Sequence, residues 1–317
     1  MALCAERSDG MEVIMIDKNY KFVFVILHYL TYEDTCCCIA SIEKYCKGFN
    51  YNIIVVDNGS NNSSGEKLTD KYKNNTNIKI IINKENLGFA RGNNVGFEYA
   101  KKEFNPDFII LANNDTMLIN NFFCNEIIKE FETSKFAVLG PKIKLKDNTI
   151  NPIAYPNIEI NTLEKQLKRY KASLWCDKNI LLYSLKKTYQ TMKNILKRFT
   201  NSRIQRNIPE KYDANKRHEN ILLHGSFLIF SKTYIEKFSG LNNKTFLYRE
   251  EDLLYKRLKE NKMLSVYNPR VVIRHNEDSA TNALHKTTRG KSIFVNENRI
   301  KSTKILIDEI KGDNNEG

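Results

Sequence analysis

The chain has 317 residues, of which 41% are hydrophobic and 27% charged, and its net charge is +13. This length allows one large domain with an appendage. No apolar run reaches the roughly 18 residues of a membrane-spanning helix, and residues 1–20 lack the features of a secretory signal, so we expect a flexible leader. The positive charge favours an anionic partner, whether nucleic acid, a membrane surface or a phosphorylated substrate.

The seven cysteines do not form a recognisable site. Their number is odd, three of them are consecutive (Cys36, Cys37 and Cys38), and no pair has a Cys-x-x-Cys spacing. This pattern supports neither a disulfide framework nor a zinc site. We expect reduced thiols in a cytosolic protein.

Strands and helices alternate in the first half of the chain. Short runs rich in β-branched and aromatic residues are typical of buried parallel strands. The predicted strands are 22–30, 52–56, 78–82, 108–112 and 136–139. The predicted helices are 35–45 (capped by Asp34 or Thr35), 66–73, one that follows the glycine loop NLGFARGNNVG, and 121–133. The alternation predicts an α/β fold with a Rossmann-like, mostly parallel sheet and helices on both faces.

Polar residues follow the second and fourth predicted strands. Asp57 comes directly after the second strand, and Asp115 ends the triplet Asn113-Asn114-Asp115 after the fourth. Ligands of open parallel sheets bind beyond the carboxyl ends of the strands. We therefore expect these acids to share one site at that edge.

The second half of the chain begins with a basic segment, residues 151–218. It carries apolar residues at helical spacing, which predicts one or two amphipathic helices inserted into the fold. Three roles suit such a segment: a partner helix, a lid over the acceptor or a membrane-surface element. Beyond it, the predicted strands are 222–230, 265–267 and 271–275, and the predicted helices are 246–260, with an acidic start, and 291–310, before a frayed tail.

Seven motifs resemble those of glycosyltransferase family 2, the inverting GT-A type, and occur in the family's order. They are VILHYL, VVDNGS, NLGFARGNNVG, LANNDT, HGSF, FLYREEDLL and RHNEDSATNA. The match is closest to the rhamnosyltransferase-like branch that builds bacterial surface polysaccharides. The resemblance implies transfer of a hexosyl or deoxyhexosyl group from a UDP- or dTDP-linked donor to a glycan or lipid-linked acceptor. Residues 151–218 carry no such match.

The resemblance also implies a divalent cation, Mg²⁺ or Mn²⁺, held by Asp115 and completed by His275. Such a cation neutralises the charge that develops on the departing nucleoside diphosphate. The family usually has acids at both ends of the triplet, whereas Asn113 stands first here. This substitution suits a water-rich site with few protein ligands.

Other residues are expected, from the same resemblance, to bind the nucleotide-sugar. Asp57 would hydrogen-bond the base or the ribose, and Gly88 would let the backbone approach the donor closely. The remaining candidates would line the pocket or touch the phosphates and the sugar: His28, Tyr29, Arg91, Asn94, Asn113 and Asn114.

An inverting transfer needs one base to take the proton of the acceptor hydroxyl. The family base falls on Asp252 or Glu251, depending on how the acidic triplet is aligned, and we favour Asp252. Glu250, His224 and Gly225 are expected to border the acceptor. Because helix N-termini favour negative charge, capping is the alternative role of the triplet.

The expected organisation has five segments. They are the leader (1–20), a nucleotide-sugar-binding half (21–150), the basic helical insert (151–218), an acceptor and catalytic half (219–285), and a C-terminal helix with its tail (286–317). We expect the protein in the cytoplasm. Its charge also suits peripheral contact with the anionic inner face of the plasma membrane.

Two other functions fit the sequence less well than the transferase. A sugar-1-phosphate nucleotidyltransferase would carry a Gly-rich, Lys- or Arg-bearing loop after the first strand, where this chain has HYLTYED. A nucleic-acid-binding protein would use the charge of residues 165–217, but no nucleic-acid module is recognisable, and we expect no nucleic-acid partner.

Overall fold

The computed structural model describes residues 19–154, 156, 158–200, 212–276 and 287–313, without the side chains of 194–200 and 313. Most of the predicted leader, the last four residues of the tail, and residues 277–283 of the RHNEDSATNA motif lie outside these ranges. In the part of the chain that is described, no helix is both long enough and apolar enough to cross a bilayer.

The order of strands and helices along the chain follows the predicted alternation. The strands are β1 (Lys21–His28), β2 (Asn50–Asp57), β3 (Ile78–Ile82), β4 (Phe108–Asn113), β5 (Thr116–Leu118), β6 (Val138–Leu145), β7 (His218–Glu219), β8 (Phe227–Ser231) and β9 (Ser265–His275). The helices are α1 (Tyr32–Tyr45), α2 (Ser64–Tyr72), α3 (Phe89–Phe104), α4 (Phe123–Ser134), α5 (Ile160–Lys178), α6 (Ile180–Thr200), α7 (Lys232–Ile235), α8 (Glu250–Glu260) and α9 (Thr288–Asp313).

The nine strands found in the described ranges form one sheet. Its order is β3-β2-β1-β4-β8-β6-β9-β5, with β7 paired to β9. Strands β1 to β4 are parallel neighbours, and β6 and β9 run in the same direction. Strands β5, β7 and β8 run against their neighbours. The sheet is therefore mixed and mostly parallel, and the predicted α/β class is confirmed.

The core lies on both faces of this sheet. Alternate side chains of a strand point to opposite faces, and in β1 Phe22, Phe24 and Ile26 enter one cluster while Val23 and Val25 enter the other. Helices α1 and α4 cover the first cluster, and α3 and α8 cover the second. Because helices cover both faces of the sheet, the carboxyl edge of the parallel strands is the part that remains open for a site.

Several boundaries differ from the predictions. Residues 222–226 form a loop rather than the start of a strand, and α8 begins at Glu250 rather than at residue 246. The predicted strands 265–267 and 271–275 are one strand, β9, whose register on β6 shifts between Pro141 and Lys142. Strand β5 was not predicted, because three residues are too few to show a period.

The start of α1 also differs from the prediction. The helix begins at Tyr32 with Thr31 at its N-cap, so neither Asp34 nor Thr35 caps it. The side chain of Thr35 is instead hydrogen-bonded to His28 inside the protein.

The described residues of the basic insert contain two helices, α5 and α6, where one or two were predicted. Leu163 of α5 packs with Leu253 of α8 and Leu306 of α9 in a third apolar cluster. The fully buried carboxylate of Asp177, near the end of α5, accepts hydrogen bonds from Lys186 of α6 and from Ser292 and Asn296 of α9. These contacts join the insert to the C-terminal helix and to the acidic helix α8.

Candidate active site

A cavity of about 340 Å³ lies between the end of β4 and the start of α8. Its walls come from the tip of β4, the loop before β8, the start of α8, and helices α5 and α9. The lining residues are Phe89, Asn113, Tyr170, His224, Gly225, Ser226, Leu247, Tyr248, Arg249, Glu250, Glu251, Asp252 and Arg299.

The pairing of β5 with β9 brings Asp115 next to His275. Thr116 of β5 is opposite His275 in the ladder, and Asn276 donates its N–H to the carbonyl of Asp115 (3.0 Å). Asp115 Oδ1 lies 3.1 Å from His275 Nε2, and both side chains are buried. The ring of His224, which lines the cavity, is centred 5.9 Å from the ring of His275. The pair therefore adjoins the cavity.

The Asp115–His275 pair has the properties of an incomplete metal site. Despite the 3.1 Å separation, the two groups do not have hydrogen-bond geometry, and neither Asp115 Oδ1 nor His275 Nδ1 has a hydrogen-bond partner within the described ranges. Buried polar atoms without partners are rare, and carboxylate oxygen and imidazole nitrogen are both metal ligands. The two side chains therefore fit a divalent cation. Among the described residues, no group of three or more His, Cys, Asp and Glu side chains is arranged to hold a metal.

The two asparagines before Asp115 have different surroundings. Asn114 is buried, and its amide donates to the hydroxyls of Thr31 (2.7 Å) and Thr35 (3.0 Å). Asn113 lines the cavity, and its backbone N–H donates to the carbonyl of Ser226 (2.8 Å). Asn114 thus fixes the turn, while Asn113 is open to a ligand.

His28 lies inside the protein instead of on a pocket wall. Its two ring nitrogens are each 2.7 Å from a hydroxyl, Nδ1 from Thr35 and Nε2 from Ser64. Burial lowers the pKa of His28 to about 4, so the ring is neutral at physiological pH. His28 therefore links the end of β1 to α1 and α2, which differs from its predicted place in the pocket lining. Tyr29, the next residue, is partly exposed at the carboxyl edge.

Asp57 is fully buried at the end of β2. Its Oδ1 accepts the N–H of Ser60 (3.1 Å), whereas Oδ2 has no hydrogen-bond partner among the atoms that are described. Burial raises the pKa of the Asp57 carboxyl, and the hydrogen bond from Ser60 opposes that change. Gly65 makes room for this carboxylate, since a Cβ there would lie 2.1 Å from Oδ2.

The glycine loop is held between β2 and the segment before α8. Asn58 donates to the carbonyl of Gly88 (3.1 Å) and accepts the N–H of Leu87 (3.1 Å). Phe89 donates its N–H to the carbonyl of Phe246 (2.7 Å). Gly88 has φ +82°, and a Cβ there would lie 2.4 Å from that same carbonyl oxygen. The loop therefore needs glycine at this position.

Arg91 and Asn94, on the first turns of α3, differ in what they contact. Arg91 is exposed. Both polar atoms of the Asn94 side-chain amide are hydrogen-bonded to the backbone of Leu241. Nδ2 donates to the Leu241 carbonyl (2.9 Å), and Oδ1 accepts the Leu241 N–H (2.7 Å). In this structure Asn94 holds a distant loop and does not face the cavity, which differs from its predicted contact with the donor.

The three acids at the start of α8 all line the cavity, each with a different partner. Glu250 is buried and accepts from Thr245 (3.0 Å); burial, followed by the charge of Glu251, raises its pKa to about 8. Glu251 Oε1 accepts the N–H of Gly225 (3.2 Å). Asp252 Oδ2 accepts from Arg249 Nη1 (3.2 Å). All three carboxyl groups thus accept a hydrogen bond, and Glu250 is mostly protonated near pH 7.

His224 and Gly225 form the facing wall. The N–H of Ser226 donates to Nδ1 of His224 (3.1 Å), so the proton of the neutral ring is on Nε2. A Cβ at Gly225 would lie 2.6 Å from the Glu251 carboxylate. The predicted acceptor residues His224, Gly225 and Glu250 are therefore neighbours around one cavity.

A sequence model of the family "Glycosyl transferase family 2" matches residues 24–237, more than half of the chain. The chain belongs to glycosyltransferase family 2. None of the curated proteins matches it.

Solved structures of glycosyltransferases are similar to this family 2 chain in fold. GalNAc-T7 with UDP, GalNAc and Mn²⁺ has a TM-score of 0.54 at 11% identity, over 83% of this chain and 45% of that one. S. aureus TarS 1–349 has a TM-score of 0.49 at 13% identity, over 81% and 60%. The same TarS fragment with UDP-GlcNAc has a TM-score of 0.36 at 20% identity, over 43% and 38%. The chain thus spans less than two thirds of each of these proteins. The likeness to GalNAc-T7 shows the GT-A-like fold.

Tyr170, Arg249 and Arg299 are among the cavity residues of this family 2 chain that the sequence motifs did not indicate. The Arg299 guanidinium lies 5.6 Å from the ring centre of Tyr170 and 5.1 Å from that of Tyr248. Arg249 directly precedes the acidic triplet in the sequence, so its position beside the cavity could have been predicted from that adjacency. Tyr170 and Arg299 are on helices outside every motif, and only the packing of α5 against α9 brings them to the cavity.

Proposed function

We propose that this chain is an inverting, metal-dependent glycosyltransferase. It moves a hexosyl or deoxyhexosyl group from a UDP- or dTDP-linked donor to a hydroxyl of a glycan or lipid-linked acceptor. The observation that carries the proposal is the Asp115–His275 pair, whose buried unpartnered atoms adjoin a cavity lined by three acids. The motif set favours the rhamnosyltransferase-like branch and a role in bacterial surface polysaccharide synthesis.

Asp115 and His275 would hold Mg²⁺ or Mn²⁺ in this scheme. When bound, the cation neutralises negative charge on the diphosphate of the donor. Because the described chain offers only two protein ligands, water and phosphate oxygens would have to supply the remaining ones, which suits a hard cation. Asn114 keeps the turn in place through Thr31 and Thr35.

The donor nucleotide would occupy the carboxyl edge between β1, β2 and β4. The free Oδ2 of Asp57 would accept a hydrogen bond from the base or the ribose, since the structure leaves this buried oxygen without one. Tyr29, Arg91 and Asn113 would contact the ribose, phosphates or sugar. Gly88 would allow close approach of the backbone. His28 and Asn94 would act by positioning the surrounding elements.

Asp252 would take the proton of the acceptor hydroxyl. The freed oxygen attacks the anomeric carbon as the bond from that carbon to the diphosphate oxygen breaks, so the configuration inverts in one displacement. Arg249 orients Asp252 through the 3.2 Å contact. Glu251, held by the Gly225 N–H, is the alternative base, and only kinetics distinguishes the two.

The acceptor would enter beside α5 and α9. His224, Gly225 and protonated Glu250 would border its hydroxyl. Tyr170 and Tyr248 offer aromatic faces, and Arg299 between them offers a cation, which together suit a sugar ring that carries phosphate. A lipid-linked acceptor would bring the enzyme to the inner face of the plasma membrane.

A thermal-shift screen with UDP and dTDP, with and without Mn²⁺, tests the donor and metal assignments. A ligand that binds only the folded state stabilises it by about 2.7 kcal/mol at 100 times its Kd. We expect a Mn²⁺-dependent shift in the wild type and in Asp70→Ala, an exposed acid on α2, and its loss in Asp115→Ala. An equal Mn²⁺-dependent shift in Asp115→Ala, or none in the wild type, would contradict the proposal.

A further inference from the structure

Helix α6 carries an apolar stripe that the described part of the chain leaves uncovered. Leu181, Leu185, Tyr189 and Met192 are each 57–76% exposed. At 3.6 residues per turn they fall within about 80° of one another, so they share one face of the helix. Trp175, near the end of α5, is 68% exposed. A concentration of large exposed apolar side chains usually marks a binding surface.

The same segment has a strong positive charge. Between residues 178 and 209 the sequence contains eight Lys and Arg residues and no Asp or Glu. Lys187 and Lys193 are exposed on α6, whereas Lys186 turns inward to the buried Asp177. An apolar stripe beside basic residues is typical of helices that lie in the interface of an anionic membrane.

Helix α6 is attached to the wall of the cavity and is not a separate arm. Asp177 binds Lys186 of α6 together with Ser292 and Asn296 of α9, and the Tyr183 hydroxyl is 3.1 Å from that of Thr288. Helix α5, to which α6 is joined, contributes a tyrosine to the cavity. A surface bound by α6 would therefore lie beside the acceptor side of the cavity.

We infer that the α6 stripe docks on an anionic lipid bilayer, with its apolar side chains at the boundary of headgroups and acyl chains and with Lys193, which flanks the stripe, on the lipid phosphates. This inference rests on the proposed function, because it brings the cavity to a membrane that holds a lipid-linked acceptor. Charge decides against a second copy of the chain, since pairing two stripes would bring two acid-free basic helices together. A nucleic-acid partner would use the charge but would leave the apolar stripe in water.

Vesicle flotation measures this docking directly. The probes are vesicles of phosphatidylcholine alone and of phosphatidylcholine with phosphatidylglycerol. The triple variant Leu181→Ser/Leu185→Ser/Met192→Ser removes the stripe, and Gln190→Ala/Thr191→Ala on the other side of α6 is the matched control. We expect wild type and control to bind the anionic vesicles, the neutral vesicles to bind far less, and the triple variant to bind at least about tenfold more weakly.

The charge variant Lys193→Glu should also weaken binding to the anionic vesicles, and added salt should weaken binding of the wild type. Thermal unfolding and the Mn²⁺-dependent nucleotide shift are measured for every variant. Because none of the changed residues lines the cavity, we expect both to stay at wild-type values. A normal nucleotide shift without vesicle binding would overturn the docking alone, and absence of the shift in all proteins would overturn the proposed function.

Three other results would contradict the inference. One is equal binding of the triple variant and the wild type to anionic vesicles. A second is a wild-type dimer in sedimentation velocity, without vesicles, that the triple variant abolishes. The third is wild-type binding to an RNA or DNA duplex that excludes vesicle binding and is insensitive to the serine substitutions.

Discussion

Asp252 and Glu251 are one residue apart, and each is held by a different hydrogen-bond donor. Replacing either by its amide keeps the size of the side chain and removes the proton acceptor. We expect Asp252→Asn to lower kcat by about 10²–10⁴, the usual contribution of a general base, with donor binding unchanged. Glu251→Gln should lower kcat by less than about tenfold, because its Oε1 still accepts the Gly225 N–H. Steady-state kinetics decides, and the reverse order would assign the base to Glu251.

The raised pKa of Glu250 predicts that the free energy of unfolding depends on pH. Its pKa rises from 4.5 to about 8 on folding, through burial first and then the charges of Glu251 and Asp252. Because the folded state retains the proton, this stabilisation is complete below about pH 4.5 and is lost as the pH rises to 8. From pH 5 to 8 the free energy of unfolding should fall by on the order of 2 kcal/mol more in the wild type than in Glu250→Gln. Parallel curves in urea titrations would refute this role.

The proximity of site residues could be predicted from sequence where motif order carries it. The motifs indicated Asp115 and His275, and the structure brings these residues within 3.1 Å of each other. The surroundings of His28 and Asn94 could not be predicted. Asn94 meets Leu241, 147 residues away, and no local pattern encodes such a contact. Polar side chains in a motif serve either a ligand or the backbone, and only the fold shows which.

At the scale of elements, the glycine loop before α3 offers a test with an internal control. Gly88 and Gly48 both have positive φ, +82° and +88°, but only at Gly88 would a Cβ meet another atom, the Phe246 carbonyl oxygen at 2.4 Å. We expect Gly48→Ala to cost about 1 kcal/mol from backbone strain alone. Gly88→Ala should cost about 2–3 kcal/mol and also weaken donor binding. Equal costs in urea unfolding would show that the Phe246 contact does not constrain the loop.

The parallel strands could be predicted because they are short, apolar and bounded by polar residues. The antiparallel part could not be predicted as well. Strand β8 begins only at Phe227, after a loop that includes His224 and Gly225 and closes the cavity. The apolar character of residues 222–230 continues through this loop, so hydrophobicity alone places the strand too early. The irregularity between β6 and β9 is likewise a property of pairing, which a single strand's sequence does not encode.

At the scale of the whole molecule, the insert and the C-terminal helix form one wall of the site. The sequence indicated one or two amphipathic helices but not where they pack, because no motif covers residues 151–218. The buried Asp177 explains the position: its carboxylate binds Lys186, Ser292 and Asn296 from two other helices. Through Tyr170 and Arg299 these helices reach the cavity, so specificity for the acceptor would depend on the segment that the family motifs do not cover.

In the proposed mechanism, Asp115 and Asp252 act in different steps of sugar transfer. The most direct measurement is the release of nucleoside diphosphate from UDP- and dTDP-sugars, with Mn²⁺ and a short-chain lipid-linked glycan, alongside donor binding. We predict that Asp115→Ala loses both transfer and Mn²⁺-dependent donor binding, whereas Asp252→Ala loses transfer and still binds the donor. Undiminished transfer by both variants would contradict the account.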